Sequence, residues 1–361
     1  MKLFACQHCN HLVYFENVTC AKCGYALGYL PDLEDMSAVL PDGPYWLALA
    51  APQRRFRFCQ NWELRACNWL VDATLGQELC MACRHNQTVP DVSDPLRLQQ
   101  WVKIEDAKRR LIYSLLKFGL PLLAAGDGSR ESLVFQFLAE MPDRKKIMTG
   151  HENGLITIAL KEADDSEREK LRNKIGETYR TLIGHFRHEV GHYYWDLLVR
   201  DGDRLGEFRT VFGDERQDYS QALSRHYQTG PPLNWQDDFV SAYASMHPWE
   251  DFAETWAHYF HIVDTLEIAY AFGISVAART ATDEDIAASV DRNPYNATTL
   301  ESLVSAWVPL SLALNSMNRG MGQPDLYPFV LTPPALKKLG YVHELIRVCD
   351  VRGRIKHKGS S

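Results

Sequence analysis

The chain lacks the features of a membrane protein and of a secreted protein. No apolar run in its 361 residues approaches the roughly 20 residues that a helix needs to cross a bilayer. The N-terminus, MKLFACQHCN, has a single lysine followed by polar residues and cysteines, where a signal peptide needs an apolar core. We therefore expect no membrane role and a location in the reducing cytoplasm.

An excess of positive charge is also missing. The chain has 39 lysines and arginines against 46 aspartates and glutamates, which gives a formal net charge of −7. A general nucleic-acid binder needs a basic excess, because binding depends on displacing the counterions of the phosphates. Nucleic acid is therefore the least favoured partner.

Cysteine is rare after residue 83, where only Cys349 remains, and the other eight cysteines form two groups of four. The first group has two CxxC pairs with ten residues between them, the spacing of a zinc ribbon: Cys6, Cys9, Cys20 and Cys23. The second group has one CxxC pair and is less regular: Cys59, Cys67, Cys80 and Cys83. We interpret it as a second structural zinc site. The alternative is a set of disulfides, which would require an oxidising compartment.

The segment GHFRHEVGHYYW, residues 184–195, concentrates histidine around one glutamate. On a helix, His188 and His192 would project from the same face and could share one zinc ion. Glu189 could then take a proton from a zinc-bound water, as in the H-E-x-x-H chemistry of metallopeptidases. His185 is expected to support a ligand or to lie at the surface and not to bind zinc, because a fourth protein ligand would block the water position. The alternative is a surface helix whose spacing arose by chance, so further ligands must decide.

A catalytic zinc needs a third protein ligand and an open fourth position. The segment SAYASMHPWEDFAETWAHYFH, residues 241–261, offers Glu250 and Glu254 one helical turn apart, after a proline suited to the first turn of a helix. Either carboxylate could bind the metal while the other braces a histidine ligand from behind. The alternative is two solvated glutamates on an amphipathic helix.

These motifs together resemble the gluzincins, and specifically the lethal-factor-type branch, whose ExFAE segment is similar to EDFAE here. The two cysteine modules, GHFRHEVGHYYW, FGDERQDY and SAYASMHPWEDFAETWAHY also resemble a family of bacterial zinc-binding metallopeptidases with an N-terminal zinc ribbon. The resemblance implies one catalytic zinc besides the two structural ones, and it assigns its ligands to His188, His192 and Glu250. It also implies that Glu189 activates the water, that Glu254 orients a ligand histidine, and that Tyr243 donates to the oxyanion.

The chain is predicted to have an α+β fold, in which zinc-ribbon modules precede a zincin-like metallopeptidase domain. This domain would contain a small mixed β-sheet, an active-site helix and a largely helical C-terminal half. The predicted domains are a zinc ribbon at 1–30, a second zinc-binding module with four cysteines at 31–90 and the zincin-like domain at 91–361. The predicted strands are 133–140, 145–150 and 154–163, and the predicted helices are 95–116, 175–199, 215–228, 235–246, 248–272 and 298–316. The strand GLITIAL, from Gly154, could offer its edge to an extended peptide, the alternative being a buried strand.

The favoured function is a zinc-dependent peptidase acting on a peptide or protein, with cysteine modules that serve structure or recruit a protein partner. The alternative is a catalytically silent zincin scaffold that acts as a zinc-ribbon protein-binding module. Glu189 favours the enzyme, because a silent scaffold would have little reason to keep a water-activating glutamate.

Overall fold

The computed structural model describes residues 2–124, 132–140, 147, 149–168, 170, 181–279 and 286–357, with side chains up to residue 349. These residues form two compact units. The first comprises Met1–Lys117 and Pro121–Arg168, and the second comprises Phe118–Leu120 and Glu169–Ser361. The predicted α+β class is confirmed, since the N-terminal region is rich in strands and the C-terminal half is helical.

The N-terminal part of the first unit is built from antiparallel strands. A two-stranded ribbon joins β1 (Phe4–Ala5) to β2 (Leu12–Val13). A five-stranded meander follows, formed by β3 (Ala26–Leu30), β4 (Asp35–Asp42), β5 (Tyr45–Ala48), β6 (Arg55–Phe58) and β7 (Leu70–Asp72). A Cβ on Gly28 would lie 2.6 Å from the Leu70 Cγ, so this tight packing of β3 requires glycine. Because β3 pairs with β4, the sheet continues across the boundary predicted at residue 30.

A second, mixed sheet completes this unit. Its strands are β8 (Asn86–Thr88), β9 (Val134–Leu138), β10 (Gly150–Glu152) and β11 (Leu155–Ala159), in the order β10-β11-β9-β8. The helix α1 (Pro95–Lys117) lies in the chain between the parallel strands β8 and β9, which confirms the helix predicted at 95–116. Half of the strand predicted at 145–150 falls outside the described residues, and Gly150 begins β10.

Of the two alternatives for GLITIAL, the structure shows the strand inside the sheet and excludes the free edge. The strand β11 pairs with β10 on one side and with β9 on the other. Its main-chain donors and acceptors are therefore used within the sheet, and a peptide cannot add to it.

The second unit is mainly helical. Its helices are α2 (Leu182–Trp195), α3 (Leu205–Phe212), α4 (Tyr219–Thr229), α5 (Trp235–Asp238), α6 (Pro248–Phe272), α7 (Leu300–Gly320) and α8 (Pro333–His357), with a hairpin of β12 (Ser275–Ala277) and β13 (Ala287–Ser289). The helices predicted at 248–272 and 298–316 are confirmed as α6 and α7. None of the helices in the described residues combines the length and apolar character that a membrane span requires.

One helix prediction in this unit needs correction. The single helix predicted at 235–246 is instead the short α5 and a 3-10 turn at Tyr243–Met246, because Phe239 has an extended backbone that ends α5. The helix predicted at 175–199 is confirmed from Leu182, where its description begins, and its last turn, Asp196–Arg200, is π-helical. The sequence patterns also missed α8.

Candidate metal sites

The first cysteine group is assembled by the tip of the β1–β2 ribbon and by the turn before β3. The four sulfurs of Cys6, Cys9, Cys20 and Cys23 lie within 4.8 Å of one another. The Sγ atoms of Cys6 and Cys23 are 3.6 Å apart, as are those of Cys9 and Cys20. Tetrahedral zinc with Zn–S bonds of about 2.3 Å places neighbouring sulfurs about 3.8 Å apart. This tetrad therefore fits one zinc ion.

The second cysteine group lies between β6 and β7 and in the turns after β7, and all four cysteines are buried. The sulfurs of Cys59, Cys67, Cys80 and Cys83 again lie within 4.8 Å of one another. The cysteines are free rather than paired in disulfides. Two backbone amides, those of Trp69 and Cys80, donate to the sulfurs of Cys67 and Cys59 at 3.4 Å. Such donors stabilise thiolates, so this tetrad also fits a closed metal site.

Two buried cations of α1 face the second tetrad. Burial would lower the pKa of Arg109, but the nearby Cys67 sulfur and Asp106 raise it above its ordinary value. Burial would also lower the pKa of Lys108, but Glu105 and Cys83 raise it. Buried cations need negative partners. Glu105 and Asp106 supply carboxylates to these two cations, and the thiolates of a metal-binding tetrad would add further negative charge.

The third group of candidate ligands is His188, His192 and Glu250. It depends on close packing of α2 against α6. Thr181 caps α2 by accepting a hydrogen bond from the Gly184 amide at 3.0 Å. A Cβ on Gly191 would lie 3.0 Å from the Ala253 Cα and 3.2 Å from the Trp256 Cβ. A glycine between the two histidines of HEVGH therefore lets the backbones of α2 and α6 approach. This approach brings the histidine face of α2 to the first turn of α6.

At that contact, three potential ligand atoms form a small triangle. The Nε2 atoms of His188 and His192 are 3.2 Å apart. The Glu250 Oε2 lies 3.0 Å from the first and 3.5 Å from the second. Tetrahedral zinc with bonds of about 2.0–2.1 Å places neighbouring ligand atoms about 3.3 Å apart. The triangle thus has the size of one face of a zinc tetrahedron, with the fourth corner left to water or substrate.

The surroundings of Glu250 fit a metal ion better than a proton. Its Oε2 is buried and receives no hydrogen bond of good geometry from the described residues. Burial would raise the pKa of Glu250, but His192 and His188 hold it well below its ordinary value. The carboxylate is also in the first turn of α6, where the positive end of the helix dipole favours negative charge. An ionised oxygen aimed at two imidazole nitrogens is a suitable ligand for a divalent cation.

Hydrogen bonds hold two of these side chains from behind. The His188 Nδ1 lies 2.7 Å from the Glu254 Oε1, and the Ser241 hydroxyl donates to the Glu254 Oε2 at 2.6 Å. Burial would raise the pKa of Glu254, but the hydrogen bond with His188 lowers it to about 2. The Tyr219 hydroxyl donates to the Glu250 Oε1 at 2.7 Å. The geometry thus places Glu254 behind His188 and Glu250 at the triangle.

The predicted base Glu189 lies on α2 beside this triangle and is buried. Its Oε1 is 3.2 Å from the His185 Nε2, one turn earlier on the helix. Burial would raise the pKa of Glu189, but the hydrogen bond with His185 lowers it. The side chain is therefore an ionised carboxylate that can accept a proton. His185 contacts the base and is not among the three grouped ligand residues.

The predicted oxyanion donor Tyr243 is on the 3-10 turn that precedes α6. Its ring centroid is 5.9 Å from that of His188, so the structure brings it to the site. Burial and the charge of Glu250 raise the pKa of Tyr243 well above its ordinary value. The hydroxyl therefore stays protonated and can donate a hydrogen bond.

Neighbouring histidines have other roles. The His247 Nδ1 accepts from the Trp249 amide at 3.1 Å and so caps α6. The His258 Nδ1 is 2.7 Å from the Tyr327 hydroxyl, and burial lowers the pKa of His258 to about 4. These rings serve the architecture around the site.

Sequence reasoning missed two polar residues of this site, Tyr219 and Ser241. Tyr219 ends the segment FGDERQDY, and Ser241 opens the segment that carries both glutamates. Neither residue lies at a metal-ligand spacing from the histidines in the sequence. Each contacts a carboxylate of α6, and only folding brings that carboxylate near. The only available signal was that both segments carry the family resemblance.

Comparisons with known proteins give the family of the chain. A family model described as "Putative zinc-binding metallo-peptidase" matches residues 97–345, and a zinc-ribbon domain model matches residues 3–94. Uncharacterized proteins of Mycobacterium tuberculosis (strain ATCC 25618 / H37Rv) and Mycobacterium bovis (strain ATCC BAA-935 / AF2122/97) are each 40% identical to this chain over 347 residues. The alignments cover 96% of this chain and 95% of each relative. No solved structure gives a significant match. The chain belongs to the family that this model describes, and it carries a zinc-ribbon domain.

Proposed function

We propose that the chain is a zinc-dependent peptidase that hydrolyses peptide bonds at the triad of His188, His192 and Glu250. The carrying observation is the triangle of three buried ligand atoms with sides of 3.0, 3.2 and 3.5 Å. Three ligands leave one corner of a tetrahedron open, which is the arrangement of catalytic rather than structural zinc. When bound, zinc would supply a Lewis acid that acidifies water and polarises a peptide carbonyl.

The residues around the triad have complementary roles in this proposal. Glu189 accepts the proton of the attacking water and later passes it to the leaving amine. Its ionised state, maintained by the contact with His185, suits the first of these steps. Tyr243 donates a hydrogen bond to the oxygen of the tetrahedral intermediate. Glu254 holds the His188 ring in the orientation that turns Nε2 toward the triangle.

The two cysteine tetrads have a structural role in this proposal. Each tetrad supplies four sulfurs, which complete a tetrahedron and leave no position for water. The N-terminal strands are short, so metal binding is expected to contribute directly to their folding. The chain would therefore bind two structural zinc ions and one catalytic zinc ion.

The test compares wild-type protein with Glu189→Gln, which removes the base and keeps every proposed ligand. Each zinc-loaded protein is incubated with a cell lysate, and new peptide termini are identified by mass spectrometry. We expect termini that form only with wild type. On a peptide derived from such a site, Glu189→Gln should lower turnover by about 10²- to 10⁴-fold, the usual contribution of general base catalysis.

The control is the zinc content of Glu189→Gln, which should equal that of wild type. The same set of new termini with both proteins would contradict the proposed mechanism. A fully zinc-loaded wild type that generates no new termini would instead support a silent zincin scaffold.

A further inference from the structure

A second tyrosine, Tyr219, makes the contact that fixes which carboxylate oxygen of Glu250 faces the two histidines. The two carboxylate oxygens of Glu250 have different neighbours. Oε1 accepts a hydrogen bond from the Tyr219 hydroxyl at 2.7 Å, and Oε2 faces the Nε2 atoms of both histidines. A carboxylate can rotate about its last bond and exchange its oxygens. A donor held on one oxygen opposes this rotation.

The start of α4 is itself tied to the start of α6, so Tyr219 is held in place. The His247 Nδ1 accepts from the Trp249 amide, which leaves Nε2 as the protonated nitrogen of the neutral ring. This Nε2 donates to the carbonyl of Gln217 at 3.2 Å. Asp218 caps α4 by accepting from the Gln221 amide at 2.9 Å. The turn before Tyr219 is therefore fixed at both of its ends.

Aromatic packing adds to this fixation. The Tyr219 ring lies edge-on to the rings of His247 and Trp249, with centroid distances of 5.5 and 5.9 Å. The Trp249 ring also packs 3.7 Å from that of His192. Tyr219 is thus held within a packed aromatic group, with its hydroxyl directed at Glu250.

We propose that Tyr219 is a positioning residue that keeps Glu250 as a single-oxygen ligand of the catalytic zinc. This inference rests on the proposed function for the identity of the metal. Glu250 then has a supporting hydrogen bond equivalent to the one that Glu254 provides for His188. Tyr219 acts through the ligand, whereas Tyr243 acts on the substrate. Removing such a supporting contact typically weakens metal binding by about 10- to 100-fold.

The test is Tyr219→Phe, which deletes one oxygen and keeps the ring. The matched control is Tyr227→Phe, two turns later on the same helix, where the side chain is 59% exposed. The affinity of the catalytic site for zinc is measured by competition with a chelator, and kcat is measured at saturating zinc. We expect Tyr219→Phe to bind this zinc about 10- to 100-fold more weakly, with kcat largely restored at excess zinc, and Tyr227→Phe to match wild type.

Two results would overturn the assignment. Unchanged zinc affinity in Tyr219→Phe would show that the hydrogen bond does not position the ligand. A kcat that stays about 100-fold low at saturating zinc would show that Tyr219 acts on the reaction, by itself or through its contact with Tyr243, and not through Glu250. Retention of the cysteine-bound zinc and an unchanged circular dichroism spectrum establish that the variant is folded. Because zinc affinity needs no substrate, the assignment can be tested even if the protein cleaves nothing.

Discussion

The cysteine tetrads and the His188–His192–Glu250 triad differ in ligand number and in how the fold assembles them. Each tetrad offers four sulfurs from short, neighbouring stretches of one unit, residues 6–23 and 59–83. The triad offers three atoms from two helices, α2 and α6, and its third ligand is far from the histidines in the chain. A complete set of ligands favours a structural role, and an open position allows chemistry.

The supporting contacts differ in the same way. Backbone amides donate to two sulfurs of the second tetrad, and buried cations lie beside it. Side chains support the triad, with Glu254 behind His188 and Tyr219 behind Glu250. The triad should therefore respond to single side-chain changes that leave the tetrads unaffected.

The largest effect expected among the supporting residues concerns turnover. Tyr243→Phe removes the proposed oxyanion donor and should lower kcat by about 100-fold, the scale of one such donor. All bound zinc should remain, because Tyr243 is outside the group of ligands. Steady-state kinetics and elemental analysis of the same sample give both values. An unchanged kcat would remove Tyr243 from the mechanism.

A smaller effect is expected on metal affinity. Glu254→Ala removes the partner of the His188 Nδ1, and zinc binding at the triad should weaken by about 10- to 100-fold. Chelator competition measures this affinity, and the zinc of both tetrads should be retained. If Glu254→Ala empties the triad while Glu250→Ala does not, the roles of the two glutamates are reversed.

A third effect concerns the packing that builds the triad. In Gly191→Ala the added methyl group meets the backbone of α6, which should destabilise the second unit by about 1–3 kcal/mol. The control is Gly206→Ala in α3, where a Cβ would meet no atom within 4 Å. Thermal unfolding compares the two variants. Equal stability would show that close approach of α2 and α6 does not require glycine.

The sequence predicted local features well. The CxxC spacing of the first tetrad and the H-E-x-x-H spacing depend on short stretches of chain, and their residues do come together. The helix α1 follows apolar periodicity over many turns, and α6 and α7 are long helical segments bounded by proline-containing breaks. Such signals need no knowledge of the tertiary fold.

Features that depend on distant residues were harder to predict. Whether the strand β11 has a free edge depends on its pairing with β9 and β10, which its own alternation does not encode. Tyr219 and Ser241 matter only because α4 and the residues before the 3-10 turn lie against α6. The segment 235–246 has helical composition, but the extended Phe239 divides it.

The central claim, that two closed sites and one open site bind metal independently, is tested most directly by the zinc content of Glu250→Ala. Elemental analysis should give three zinc ions per chain for wild type and two for this variant, with both tetrads filled. The control is Glu301→Ala, which changes an exposed glutamate in the first turn of α7, as Glu250 is in the first turn of α6. The control should keep three zinc ions. Three zinc ions in Glu250→Ala, or the loss of all zinc together, would contradict the claim.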